Sequence, residues 1–278
     1  KNINNKYFKK SYDKSLKLFD VSLRDGLQSS NKIYTFNEKK VLLHEIIKNF
    51  NPESIEVGSI VSNKVLPQMN NSIELYKYAL SLNNDINYYL LIPNKNKLKI
   101  ALENNVKNMS FITSFSNSFQ LKNIKKSLKD TKNELLHIND ELLKNNLINN
   151  KLYLSCFNHC PIANYIDDDT IYNEISFYDD LKSFNEYCLS DTTGKLNDED
   201  FKKLIYNISK IINVNKLSLH LHVNKSNIQN TLDIIKTAFK FEINKLDISC
   251  LEDGGCSVTI DKNELNSNFS YAMLDKLT

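Results

Sequence analysis

Short β-branched or apolar segments alternate with longer amphipathic segments from residue 17 almost to the end of the chain. This alternation is typical of repeated βα units around a parallel sheet. It predicts eight strands, at Lys17–Leu23, Ser54–Val57, Asn87–Ile92, Asn108–Thr113, Lys151–Cys156, Glu186–Leu189, Lys216–His222 and Lys245–Cys250. Helical patterns fall near residues 37–49, 71–82, 95–104, 119–146, 169–183, 196–212 and 226–240, with a last one after residue 262.

Eight such units predict an α/β fold consisting of a single (β/α)₈ TIM barrel. Barrels of this kind commonly take about 250 residues, so one catalytic domain over residues 1–278 fits the chain. An open doubly wound sheet is the alternative, but no G-x-G-x-x-G motif follows the first strand. Because the chain begins with Lys1 rather than Met, we expect that its N-terminus has been trimmed.

Composition excludes several classes of partner. The formal net charge is +3, with 36 basic and 33 acidic residues spread along the chain, so we expect no nucleic-acid partner. No run of 18 apolar residues occurs, so we expect no membrane span. Five cysteines, an odd number, favour free thiols and a reducing intracellular compartment over a disulfide framework.

Polar side chains follow several predicted strands, and in a barrel the carboxyl ends of the strands share one site. Just beyond the first strand, Arg24 and Asp25 stand side by side, and Arg24 is the only arginine in the chain. Asp25 could bind a metal, while Arg24 could stabilise a developing oxyanion. A local ion pair that caps the loop is the alternative interpretation.

His220 and His222 lie at the end of the seventh predicted strand. Side chains at positions i and i+2 emerge on the same face of a strand about 7 Å apart. Both imidazoles can therefore reach one ion, which favours metal binding over core packing.

Three further strand ends carry reactive groups. Cys256 follows Gly254 and Gly255 after the eighth strand, where a thiol could transfer a proton at the barrel mouth. Asp191 follows the sixth strand and Glu56 ends the second. An Asp before a helix is often only an N-cap, and a buried cysteine is often inert.

In this order, the strand ends resemble those of the 3-hydroxy-3-methylglutaryl-CoA lyase family, in the metal-dependent branch of barrel enzymes that includes isopropylmalate and homocitrate synthases. The matching segments run in family order: Arg24–Gln28, Ile55–Ser59, Val61–Ser62, Leu66–Met69, Pro93–Asn94, Ser155–Cys156, Cys160–Pro161, Ser190–Gly194, His220 with His222, and Gly254–Cys256.

The resemblance implies a set of site residues. The implied metal ligands, for Mg²⁺ or Mn²⁺, are Asp25, His220, His222 and Asn268, with Asn266 or Asn263 as alternatives to Asn268. The implied catalytic residues are Arg24, Asp25, Glu56, Asp191, His220 and Cys256, and the implied substrate-binding residues are Arg24, Gln28 and Asn94. Val223 stands where the family has an Asp after its H-x-H motif, so we expect no carboxylate behind the histidines.

The resemblance also implies an activity: cleavage of 3-hydroxy-3-methylglutaryl-CoA (HMG-CoA) to acetyl-CoA and acetoacetate. His220 would be the base, Arg24 would stabilise the enolate and Cys256 would protonate it. The alternatives are an aldol-type acyltransferase of the same superfamily and a barrel that binds a metal or a CoA ester without turnover. An acyl-CoA substrate, a homodimer, and the mitochondrial matrix or the cytoplasm are further expectations from the family.

Overall fold

A computed structural model describes residues 16–251 and 266–277. Eight parallel strands form the central sheet: β1 (Lys17–Asp20), β2 (Ser54–Ser59), β3 (Asn87–Leu91), β4 (Asn108–Ser114), β5 (Asn150–Ser155), β6 (Phe184–Asp191), β7 (Leu217–Val223) and β8 (Lys245–Ile248). Each strand pairs with the next, and β8 pairs in parallel with both β7 and β1. The sheet is therefore closed, and the predicted TIM barrel is confirmed.

Helices surround the barrel. They are α1 (Phe36–Asn49), α2 (Ser72–Ser81), α3 (Lys95–Glu103), α4 (Asn117–Ile124), α5 (Leu128–Lys144), α6 (Asp168–Asp179), α7 (Asp198–Ile208), α8 (Ile228–Lys240) and the short α9 (Tyr271–Leu274). Single 3₁₀ turns occur at Pro67–Met69, Val214–Lys216, Lys225–Asn227 and Asp275–Leu277. A two-stranded ribbon joins His159–Cys160 to Asn164–Tyr165, and Ser267–Asn268 pairs antiparallel with the end of β7.

Polar residues at the N-caps fix where the helices begin. At α1 the Thr35 hydroxyl accepts a hydrogen bond from the Glu38 amide, and the Glu38 carboxylate accepts one from the Thr35 amide. Such a capping box satisfies two amides that a helix start otherwise leaves unpaired. At α3 to α8 an Asn, Ser or Asp side chain at the N-cap accepts a hydrogen bond from one amide of the first turn. The apolar faces of these helices pack on the strands, which leaves the strand ends free for polar side chains.

Three predicted boundaries are corrected. The helix predicted over residues 119–146 is two helices, because Lys125 adopts a left-handed conformation (φ 59°) and Ser127 caps a new start. The first strand ends at Asp20, and a π-helical turn at Ser22–Gly26 replaces its predicted end. The last strand ends at Ile248 rather than Cys250. The helix predicted after residue 262 is represented in the described part of the chain by α9.

Two expectations from composition can be compared with the structure. Within residues 16–251 and 266–277, no helix combines the length and apolar character that crossing a bilayer requires. The four cysteines in these ranges are free thiols.

Candidate active site

Asp25, His220 and His222 meet at the carboxyl end of the barrel, and all three are buried. The Nε2 atoms of the two imidazoles lie 3.1 Å apart. Oδ2 of Asp25 lies 3.9 Å from Nε2 of His220 and 3.8 Å from Nε2 of His222. One carboxylate oxygen and two ring nitrogens therefore converge on one point, as the sequence predicted for a metal site.

The surroundings of the two rings determine which nitrogen carries the proton. Nδ1 of His220 lies 3.1 Å from a carboxylate oxygen of Asp247, and Nδ1 of His222 lies 3.1 Å from the carbonyl oxygen of Thr192. Both partners are acceptors, so each neutral ring carries its proton on Nδ1 and directs the Nε2 lone pair inward. Two lone pairs and a carboxylate facing one another repel unless a cation lies between them.

This donor set fits a divalent cation. Ligands at neighbouring positions of an octahedral ion, each about 2.1 Å from the metal, lie about 3 Å apart, close to the separation of the two Nε2 atoms. Mixed imidazole and carboxylate ligands are compatible with several divalent metals, so the donors do not identify the element.

Because Val223 follows the H-x-H motif, we expected no carboxylate behind the histidines, and the structure shows that this expectation is wrong. Asp247 supplies this carboxylate from strand β8 instead of from the residue after the H-x-H motif. Burial opposes ionisation of Asp247, but Lys151 and His220 hold the pKa of its carboxyl below the ordinary value. Asp247 therefore stays ionised as an acceptor for the imidazole.

Arg24 and Asp25 owe their positions to the π-helical turn. The amides of Arg24 and Gly26 both donate to the carbonyl of Val21, at 3.2 and 3.1 Å, so the turn is wide and buries both side chains. Nη1 of Arg24 donates to Asp25 at 2.5 Å, and the guanidinium stands 5.1 Å from the centre of the Tyr153 ring. Burial opposes the charge on Asp25, but the Arg24 guanidinium holds the pKa of Asp25 well below its usual range.

Glu56 forms a second buried ion pair with Arg24. Its fully buried carboxylate accepts from Nε of Arg24, from the Ser110 hydroxyl and, at 3.2 Å, from the Tyr153 hydroxyl. Arg24 is thus clamped between two carboxylates. The local ion pair considered from the sequence is present, and it lies inside the site rather than on the surface.

Asp191 occupies a different position. Its carboxylate accepts from the amides of Thr193 and Leu196, at 3.3 and 3.2 Å, and so shapes the loop after β6. Thr192, rather than Asp191, lines the cavity described below. The N-cap of α7 is Asn197, so the interpretation of Asp191 as an N-cap is wrong, and its carboxylate instead stabilises the preceding loop.

The candidates for a fourth ligand lie in three different situations. Asn268 is buried and sits opposite His222 in the short antiparallel ladder. The side-chain amide of Asn266 donates to the carbonyl of Thr193 at 2.8 Å. This geometry favours Asn268 over Asn266. Asn263 and Cys256 lie outside the described residues.

A cavity of about 540 Å³ opens toward solvent from Asp25, His220 and His222, which are called the metal group below. Arg24, Gln28 and Asn94, the residues predicted for substrate binding, all line this cavity. Asn94 also caps α3, accepting from the Lys97 amide at 3.1 Å. Most of the cavity wall is apolar and comes from Val61, Leu66, Leu91, Ile112 and Phe119. Three lysines also line the cavity: Lys97, Lys125 and Lys126.

Sequence reasoning missed Lys151, Asp247, Tyr153 and these three lysines. Charged residues inside strands were the available signal for Lys151 and Asp247, because a strand buried on both faces normally carries apolar residues. The lysines gave no signal in a chain that is rich in lysine throughout.

A closed barrel with a buried carboxylate and imidazole group at the carboxyl ends of its strands is typical of metal-dependent β/α-barrel enzymes. The model of the HMGL-like family matches residues 15–233, so the chain belongs to this family of lyases.

Among curated proteins, the hydroxymethylglutaryl-CoA lyase YngG of Bacillus subtilis is 28% identical over 247 residues, which cover 88% of this chain and 80% of that protein. Two crystal structures share the fold. The hydroxymethylglutaryl-CoA lyase of Pseudomonas aeruginosa has a TM-score of 0.83 at 24% identity, covering 94% of this chain and 84% of its own. An HMG-CoA lyase of Acinetobacter baumannii, in complex with coenzyme A and 3-methylmalate, has a TM-score of 0.82 at 23% identity, covering 94% and 82%.

Proposed function

We propose that this protein cleaves the carbon-carbon bond between C2 and C3 of a 3-hydroxyacyl-CoA, with HMG-CoA as the substrate and acetyl-CoA and acetoacetate as products. The observation that carries the proposal is the convergence of Asp25, His220 and His222 beside a clamped Arg24 at the end of a large cavity. Such a site places positive charge where a β-hydroxy thioester would develop negative charge.

Asp25, His220, His222 and Asn268 would hold a divalent cation, Mg²⁺ or Mn²⁺. When bound, the cation supplies Lewis acidity that lowers the pKa of the substrate's 3-hydroxyl and helps to fix its orientation. Asp25 lies in the turn between β1 and α1, and both histidines lie on β7, so these three side chains come from two rigid parts of the barrel.

His220 is proposed both as a ligand and as the base, and the same Nε2 lone pair serves each role. The two roles therefore exclude each other at any one moment of turnover. As a base, His220 would take the 3-hydroxyl proton on Nε2, and its Nδ1 contact with Asp247 would stabilise the resulting imidazolium. The C2–C3 bond then breaks, C3 becomes the ketone carbon of acetoacetate, and the electron pair remains on the thioester as an enolate.

Arg24 is proposed to stabilise that enolate. Its guanidinium lines the cavity and is held in place by Glu56 and Asp25, so little reorganisation accompanies the appearance of charge. Cys256 is proposed, from the family resemblance, to deliver the proton that converts the enolate at C2 into acetyl-CoA.

The cavity suits a CoA thioester. Its apolar wall offers contact for the pantetheine chain, while Lys97, Lys125 and Lys126 offer positive charge for the phosphates. Lys126 is already paired with Glu134 at 2.6 Å, so we expect Lys97 and Lys125 to contribute more of the attraction. The Acinetobacter relative crystallised with coenzyme A supports an acyl-CoA ligand for this cavity.

The proposal is tested by acetoacetate release from HMG-CoA after metal removal with EDTA and reloading with Mg²⁺ or Mn²⁺. We expect turnover only in the reloaded protein and none in the Arg24→Met or Cys256→Ala variants. Lys182→Ala is the matched control, because Lys182 is an exposed lysine just before β6, at the opposite end of the barrel.

Two other outcomes decide between the alternatives. Condensation of acetyl-CoA with a 2-oxo acid, without cleavage of HMG-CoA, would assign the acyltransferase activity instead. Metal and CoA-ester binding without either reaction would assign a binding function and reject the lyase.

A further inference from the structure

A fully buried lysine lies in the barrel interior beneath the metal group. Lys151 on β5 is 1% exposed, and its Nζ contacts Oδ1 of Asp247 and, at 2.9 Å, Oε1 of Glu186. Burying such a pair seldom adds net stability, because the desolvation of both charges offsets their attraction. Stability alone is therefore a weak reason for this arrangement.

The Asp247 carboxylate joins the lysine to the metal group. One of its oxygens contacts Lys151 and the other lies 3.1 Å from Nδ1 of His220. Lys151 is in turn held over the Phe19 ring, 3.7 Å from its centre. The Tyr153 ring stands edge-on to the His220 ring, with 6.0 Å between centres. The contacts with Asp247 and Tyr153 hold the His220 imidazole in its orientation.

The second histidine is oriented in another way. Nδ1 of His222 meets the carbonyl of Thr192, a backbone acceptor fixed by the loop itself. The acceptor for His220 is a side chain, which must be fixed by something else. Lys151 provides that fixation, because it contacts the carboxylate oxygen that His220 does not use.

We propose that Lys151 and Asp247 are positioning residues for the metal centre. Asp247 holds the proton of His220 on Nδ1, which keeps the Nε2 lone pair directed at Asp25 and His222, and Lys151 holds Asp247 in place. The proposal rests on the metal centre of the proposed function and adds two residues that contact neither the substrate nor the ion.

Removing Asp247 alone leaves Lys151 without its main partner and can impair folding, so two variants are compared. Asp247→Asn keeps the shape, and Lys151→Met/Asp247→Leu replaces the pair with apolar side chains, a change that buried pairs often tolerate. Lys245→Met is the matched control. Lys245 lies 3.7 Å from the other oxygen of the same Glu186, and the structure gives it no contact with Asp247.

Two readouts separate positioning from a merely structural role. The first is the Mn²⁺ dissociation constant of EDTA-stripped protein, followed by electron paramagnetic resonance. We expect binding about 10–100-fold weaker in both variants, as is typical when the partner behind a ligating histidine is removed, and unchanged in the control. The second is ¹⁵N NMR of the histidine rings in metal-free protein, with His220 assigned by comparison with His220→Gln. We expect the double variant to lose the Nδ1–H form of His220 while His222 keeps it.

Neither readout uses HMG-CoA, so a failure of the lyase assignment is distinguishable from a failure of this proposal. Folded variants with unchanged Mn²⁺ affinity and an unchanged His220 tautomer would overturn it. If the wild-type protein binds no Mn²⁺, the proposed metal centre fails, and the ring tautomers of the metal-free proteins still decide whether Asp247 positions His220.

Discussion

Replacement of Glu56 by Gln tests how much the buried ion pair between Arg24 and Glu56 contributes to the stability of the protein. The Glu56 side chain is fully buried and accepts from Arg24, Ser110 and Tyr153. Gln preserves the shape but removes the negative charge, and its NH₂ group faces donors where an oxygen accepted before. Arg24, only 6% exposed, then depends on Asp25 for its single remaining carboxylate.

The expected loss of stability follows from these contacts. Breaking a buried ion pair by removing one partner costs about 3–5 kcal/mol. Because Arg24 keeps its contact with Asp25, we expect the lower end, about 3 kcal/mol. For a chain of this size that loss lowers the melting temperature by about 6–12 °C.

The assay is urea unfolding followed by far-ultraviolet circular dichroism, since the chain has no tryptophan. Ser110→Ala is the matched control, because it removes one hydroxyl donor to the same carboxylate and should cost only about 1 kcal/mol. If Glu56→Gln loses no more stability than Ser110→Ala, the ion pair does not govern this cluster and the reasoning is refuted.

Three further perturbations probe other parts of the structure. Mn²⁺ at 100 times its dissociation constant should stabilise the wild-type protein by about 2.7 kcal/mol, and His222→Ala should abolish this gain in thermal melts; equal gains in both proteins would place the ion elsewhere. Burial raises the pKa of Asp20 from 3.8 to about 6, so the ionised carboxyl costs stability above that pH and not below pH 3.8. Asp20→Asn should therefore gain up to about 3 kcal/mol at pH 8 over wild type and lose this advantage by pH 4, and a gain independent of pH in urea unfolding would contradict that cause. At Gly194 (φ 65°) an added Cβ would lie 2.9 Å from the carbonyl oxygen of His222, so Gly194→Ala should weaken Mn²⁺ binding, and an unchanged dissociation constant would show that the loop yields freely.

The barrel could be predicted because its strands are short, apolar and regularly spaced, and because strand ends in such a fold share one face. That rule brought Arg24, Asp25, His220 and His222 together although nearly 200 positions separate the two pairs, and the structure places them in one group. The order of the strands along the chain was sufficient for that inference.

The local backbone at these strand ends could not be predicted. The π-helical turn after β1 depends on a single extra residue in the hydrogen-bonded ring, which leaves no mark in composition. The break between α4 and α5 falls on Lys125 in a left-handed conformation, a position where Gly or Asn would have given a signal.

The buried charges within the strands were missed for a different reason. Lys151 and Asp247 are 96 positions apart, and each, taken singly, is compatible with an exposed strand residue. Their pairing exists only because β5 and β8 direct these side chains to one point inside the barrel. Asp247 also shows that a carboxylate behind a histidine proposed as a metal ligand need not come from the same strand.

The central claim is that metal-dependent cleavage of HMG-CoA takes place at this site. The most direct measurement is acetoacetate release by EDTA-stripped protein as Mn²⁺ is added in known amounts at saturating HMG-CoA. Turnover should rise with each addition up to one equivalent of metal per chain and then stay constant. Turnover that is independent of metal, or one bound equivalent without acetoacetate, would contradict the claim.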